Sequence, residues 1–185
     1  MKCKRECETK AGEALLIRSL CAADAEVVLR LCRKGAGETL NMMRYPDEWT
    51  ATTQQEADIL AKAEASAKAV ILGAFAGGHL VGMCSMQPVH PGDRARHRAG
   101  VGMMVLKSHW RQGIGTAMMQ TLIDAAKKTN IEQLELDVVE DNKAAIALYK
   151  KCGFIEYGRH PRMMKYRDGR YADTLLMMLE LRRHG

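Results

Sequence analysis

Met103-Met104-Val105-Leu106-Lys107-Ser108-His109-Trp110-Arg111-Gln112-Gly113-Ile114-Gly115-Thr116-Ala117 is the stretch on which the fold turns. A strand-like run over residues 98–106 feeds a short polar loop, and two glycines then open a helix over residues 113–128. Gly113 and Gly115 allow a tight turn and a close approach of the main chain to a bound group. The unpaired amides of the helix start and the positive end of its dipole form an anion site, for which a pyrophosphate is the natural guest. Arg111 adds a positive charge beside it. A plain helix start with no ligand fits the same residues. A dinucleotide fold needs a third glycine where Met118 stands, and a P-loop needs a Gly-Lys-Ser/Thr that does not follow.

Downstream, residues 131–139 alternate, with Leu134, Leu136 and Val138 on one side and Glu135 and Asp137 on the other, as a half-buried strand does. Residues 142–152 read as a helix capped by Asp141 or Asn142 and closed by Gly153. Residues 154–160 and 173–181 read as two last strands around the polar loop Arg167-Asp168-Gly169-Arg170. Upstream, residues 14–20 predict a strand. Residues 22–33 predict a helix with Asp24 as cap, ended by Gly35 and Gly37. Residues 52–68, rich in Ala, Glu, Gln and Lys, predict a second helix. Residues 41–49, with Met42, Met43, Tyr45 and Trp49, read as an irregular segment placed either over a substrate pocket or in a satellite core. Residues 69–76 and 79–89 form a hairpin at Gly77-Gly78, and Gly100 and Gly102 suggest a bulge in the next strand. The order βααβββαβαββ describes one α/β domain over residues 1–185. Its sheet is mixed and mostly antiparallel, with one central strand–helix–strand crossover. Only residues 1–10, polar and without a period, read as loose.

The bulk numbers exclude several classes. A hydrophobic fraction of 47% beside 27% charged residues argues against a disordered chain. No apolar run spans a bilayer and no apolar core follows the charged start, so neither a membrane segment nor a secretory leader is expected, and the location reads as cytoplasmic. Cys3, Cys7, Cys21, Cys32, Cys84 and Cys152 are scattered, contain no C-x-x-C pair, and read as reduced thiols. The histidines are equally dispersed, so no metal is expected. The net charge of +6 is spread out, without the aromatic interleaving of single-strand binders; a polyphosphate cofactor explains part of it just as well as nucleic acid, which is not expected.

Trp110-Arg111-Gln112-Gly113-Ile114-Gly115 resembles motif A of the GNAT superfamily of N-acetyltransferases, Gln/Arg-x-x-Gly-x-Gly/Ala, with Trp110 in place of the usual Gln or Arg. Glu140-Asp141-Asn142-Lys143-Ala144-Ala145-Ile146-Ala147-Leu148-Tyr149-Lys150-Lys151-Cys152-Gly153-Phe154 is similar to the family's N-x-x-A-x-x-x-Y-x-x-x-G-F signature and follows in the family's order. Residues 101–154 carry the resemblance. It implies the acyl-CoA N-acyltransferase fold, acetyl-CoA as co-substrate, no metal, and transfer of the acetyl group to a primary amine by direct attack through a tetrahedral intermediate. It further implies that two central strands splay apart and that the pantetheine arm pairs with the first. The main chain of Met103, Met104 and Val105 would bond that arm, with an N–H near Met104 polarising the thioester. Arg111, Gln112, Gly113, Ile114, Gly115 and Thr116 would cradle the pyrophosphate, and Asn142 would bond the arm near its sulfur.

Tyr149 matches the position that protonates the leaving thiolate, and a phenol of reference pKa near 10 suits that task. The bland alternatives are a helix cap for Asn142 and a packed aromatic for Tyr149. Lys143 and Lys151 are candidates for the 3′-phosphate or simply solvated. No general base stands out among His97, Glu132, Glu135 and Asp137. The acceptor reads as a small molecule or amino acid; the alternatives are a protein N-terminus or lysine, and a non-catalytic acetyl-CoA-binding regulatory domain. The oligomeric state stays open, a homodimer being common in the family.

Overall fold

The computed structural model describes residues 2–181. Eight strands form one sheet: β1 (Lys4–Glu8), β2 (Ala14–Ser19), β3 (Val70–Ala76), β4 (His79–Pro88), β5 (Arg98–Val105), β6 (Gln133–Val139), β7 (Ile155–Lys165) and β8 (Tyr171–Glu180), in the order β1-β2-β3-β4-β5-β6-β8-β7. Four helices cover it: α1 (Ala25–Glu38), α2 (Thr53–Ala65), α3 (Ile114–Ala126) and α4 (Lys143–Lys151). All neighbouring strands are antiparallel except β5 and β6, which run parallel and are joined through α3. That is the expected architecture.

The faces separate by strand parity. Leu134, Leu136 and Val138 of β6 pack with Met118, Met119 and Leu122 of α3 and Ile146 and Tyr149 of α4. Met104, on the other face of β5, joins Val28, Leu31 and Cys32 of α1 and Leu60 of α2. Burial of such apolar side chains contributes roughly 1.5–3 kcal/mol each, which holds both helix layers on the sheet.

Four local expectations need correction. Residues 4–8 are not loose: they form β1, paired antiparallel with β2. Charged residues on a short outer strand keep an edge from pairing further, which is why β1 looks structureless in sequence. Second, α1 does not end at Gly35 but runs through it to Glu38. Gly35 is buried there because any side chain would collide with Met104 Sδ. Third, Asp24 does not cap α1 with its side chain; its carboxylate takes Arg18 at 2.7 Å and the Cys21 N–H at 2.9 Å. Fourth, β5 keeps regular register across Gly100 and Gly102, and the irregularity lies instead between β3 and β4, at Ala74/Phe75.

Candidate active site

A cleft of about 1340 Å³ opens where β5 and β6 part. Their parallel pairing covers only Arg98↔Gln133 to Gly100↔Glu135. The main-chain bonds show which residues face the gap. The Val89 N–H donates to the Arg98 carbonyl at 3.3 Å and the Leu106 N–H to the Val81 carbonyl at 2.9 Å. Antiparallel bonding alternates, so Gly100, Gly102 and Met104 address β4. His97, of odd parity, accepts the Gln133 N–H at 3.1 Å from the other side. Met103 and Val105 therefore turn their peptide groups into the gap. Met104 differs from the sequence expectation: its peptide group belongs to β4, and it reaches the cleft through a buried side chain.

The loop after β5 ends on left-handed backbone at Arg111 (φ 63°) and at Gly113 (φ 86°), the latter being the N-cap of α3. Glycine at the cap leaves the first-turn amides without a side-chain partner. The first helical bond is Ala117 N–H to the Gly113 carbonyl, at 3.0 Å. The amides of Gly113, Ile114, Gly115 and Thr116 are thus open to an anion. Gly115 is also where α3 meets α4, since a Cβ there would stand 2.7 Å from Leu148 Cδ1. Arg111, Gly113, Ile114, Gly115 and Thr116 line the cleft. Gln112 does not: its amide holds the Ser108 carbonyl at 3.2 Å and so braces the loop. Trp110 braces it as well, through an indole N–H on the Val105 carbonyl at 2.7 Å.

From α4, Asn142 and Tyr149 line the same cleft. The Asn142 side chain also caps α4, accepting the Ala145 N–H at 3.2 Å. Tyr149 is 9% exposed, with its ring tilted against Phe154 at 5.9 Å. Burial pushes its phenol up to about 12, so the neutral, proton-donating form persists. Lys143 points elsewhere, to the Glu140 carbonyl at 2.8 Å, whereas Lys151 lines the cleft.

On the α1–α2 face, Glu135, Asp137, Ser85, Gln87 and Tyr157 form the walls. Glu135 is engaged by a bidentate Arg98, one arm at 2.7 Å, and by Gln133. The residue 41–49 segment lies over this mouth, with Asn41, Met42, Met43, Arg44 and Trp49 lining it. The β7–β8 turn meets that segment. The Arg167 N–H donates to Tyr45 Oη at 2.9 Å, its guanidinium pairs with Asp47 at 2.7 Å, and it stacks on the Tyr45 ring at 4.0 Å. Neither Arg5 and Lys10 at the cofactor-side mouth nor Ser85 and Gln87 at the other carries a local sequence signal. Each is a strand or turn residue whose role comes only from what the sheet sets beside it.

Residues 36–154 match the model of the Acetyltransferase (GNAT) family. A solved GNAT-family acetyltransferase from Streptococcus pneumoniae superposes with a TM-score of 0.86, at 26% identity, over 91% of this chain and 99% of that one. Among curated proteins, the [ribosomal protein bS18]-alanine N-acetyltransferase of Escherichia coli is 39% identical over 71 residues, 38% of this chain and 47% of that protein. The chain thus matches about half the length of the first such relatives. The L-methionine sulfoximine/L-methionine sulfone acetyltransferase of Pseudomonas paraeruginosa is 24% identical over 89% of this chain and 94% of its own.

Proposed function

The chain belongs to the GNAT family of acetyltransferases, and from that membership we propose that it moves the acetyl group of acetyl-CoA to the primary amine of a small molecule, an amino acid above all. The co-substrate supplies an activated thioester. The cleft fits its outline: open amides at the start of α3 for the pyrophosphate, and for the extended arm the main-chain groups of Met103 and the N–H of Val105, whose carbonyl is held by Trp110. Arg111, Gly113, Ile114, Gly115 and Thr116 take the phosphates, with Gln112 and Trp110 holding the loop. Asn142 orients the arm near its sulfur. The acceptor nitrogen enters from the α1–α2 face and forms the C–N bond to the thioester carbon. On the opposite face Tyr149 donates its proton to the departing thiolate as the C–S bond breaks, the acceptor nitrogen releases its extra proton to water, and the Tyr149 phenol is restored by a proton from water. Holding both partners in line supplies much of the acceleration.

One observation carries the small acceptor: the bridge from Arg167 to Tyr45 and Asp47, which tethers the segment whose residues Asn41 to Arg44 line the cleft. An extended peptide needs a groove open at both ends, and this bridge ties the β7–β8 turn to the segment above the mouth. A thiol-release assay with amino acids, polyamines and N-terminal peptides tests the reading. Release with a free amino acid supports it; release with peptides alone favours the protein N-terminal alternative, and tight acetyl-CoA binding without release favours the regulatory one.

The proposal treats residues 1–185 as one N-acetyltransferase domain acting in the cytoplasm; the continuous sheet from β1 to β7 supports the single domain. Among the described residues no helix is long and apolar enough to cross a membrane. A homodimer is the oligomeric state to test, by sedimentation velocity.

A further inference from the structure

The N-terminal hairpin is docked on the candidate cofactor loop. Thr9 builds its turn: the hydroxyl accepts the Ala11 and Glu13 N–H groups, and the main chain bonds Glu13 and Gly12. The next residue, Lys10, donates its N–H to the Gln112 carbonyl at 2.9 Å. Its side chain runs across Gly113, with Cγ 3.5 Å and Cε 3.9 Å from where a Cβ would stand. Cys3, just before β1, and Cys7 on it pack against the α3 core, so Arg5 between them lies on the same face of the sheet. Arg5, Cys7, Glu8 and Lys10 line the cleft together with Thr116, Ala117 and Gln120 of α3.

On this side of the cleft two cations, Arg5 and Lys10, face one carboxylate, Glu8, which pairs with neither among the described residues. Among the described residues neither Arg5 nor Lys10 makes an ion pair, although Lys4 and Lys2 beside them do. Lys10 is laid over the positive end of a 13-residue helix, where a cation is unfavourable unless an anion sits between the two. Arg111, on the same loop, adds a third cation without an ion pair among the described residues.

We propose that the β1–α3 groove holds the phosphate end of the coenzyme, Lys10 contacting the pyrophosphate and Arg5 the more distant 3′-phosphate. The inference rests on the acetyl-CoA reading and extends it to a segment outside both family motifs. It also makes the hairpin a rigid part of the site, since Lys10 reaches the phosphates only while its main chain holds Gln112.

Calorimetric titration of the full chain with coenzyme A, with 3′-dephospho-coenzyme A and with phosphate-free pantetheine tests it. Lys10→Ala should weaken both nucleotides by about tenfold, the scale of one lost charge-assisted hydrogen bond, and leave pantetheine unchanged. Arg5→Ala should weaken coenzyme A and spare the dephospho form. Lys10→Arg should restore most of the loss. Equal binding of coenzyme A by wild type and Lys10→Ala would overturn the proposal, as would a loss that pantetheine shares. Failure of the wild type to bind coenzyme A would remove the acetyl-CoA reading itself, and this inference with it.

Discussion

The Trp110 indole N–H donates to the Val105 carbonyl at 2.7 Å. Trp110 stands where the family motif has Gln or Arg, and its bond ties the start of the phosphate loop to the last residue of β5. A departure from the motif thus serves as a brace between the two halves of the candidate cofactor site. Trp110→Phe keeps the ring and removes the bond, whose net worth is about 0.5–1.5 kcal/mol. The acetyl-CoA KM should rise about three- to tenfold with kcat nearly unchanged. Steady-state kinetics at saturating acceptor checks this, and a fall in kcat alone would contradict it.

Tyr149→Phe should lower kcat by about a hundredfold, within the usual range for general acid catalysis, while acetyl-CoA affinity changes little. Kinetics paired with calorimetry separate the two, and equal losses in both would remove Tyr149 as the acid.

The same residue makes a stability prediction at high pH. Burial pushes the Tyr149 phenol up to about 12, above its unfolded value near 10. A raised folded pKa means that the stabilising contribution is complete below pH ~10 and disappears as pH rises towards the folded value. Cys32, also pushed up to about 12, and Cys84, pushed up further, act with the same sign from lower pH. Urea midpoints between pH 8 and 12 under reductant should therefore decline, and Tyr149→Phe should flatten the upper part of that decline only.

Gly35 and Gly37 share α1 but face different surroundings. A Cβ at Gly35 meets Met104 Sδ at once, while one at Gly37 finds only Pro46 Cγ, at 3.5 Å. Alanine in a helix gains about 1 kcal/mol over glycine, but overpacking costs about 1–3 kcal/mol. Gly37→Ala should raise Tm and Gly35→Ala should lower it, read by thermal denaturation. A stabilised Gly35→Ala would show that α1 does not press on β5 as described.

Arg167→Ala removes the bridge to Asp47 and the stack on Tyr45. An exposed ion pair is worth about 0–1 kcal/mol, so the fold should be unaffected. The KM for a small acceptor should rise, with peptide turnover rising relative to it, as a competition assay would show.

The chain order of elements from β2 onward and the glycine-opened loop before α3 were legible because their signals are local. Alternation in residues 133–139, the two glycines opening α3 and the Asn142-to-Gly153 spacing each constrain one short segment. What stayed illegible depends on distant partners. β1 is recognisable only through its pairing with β2 and Lys10 only through Gln112. Arg167 and Tyr45 meet across 122 residues, with nothing in either segment to announce the other. Gly35 read as a helix stop because glycine usually weakens helices, and its reason for being there, the Met104 side chain, lies on another element.

The central claim, a small amine acceptor beneath the tethered segment of residues 41–49, is tested most directly by kcat/KM for a free amino acid against a tetrapeptide that begins with the same residue. The account predicts that the free amino acid is preferred by at least about tenfold, a difference of about 1.4 kcal/mol in transition-state binding. Equal or better turnover of the peptide would contradict it.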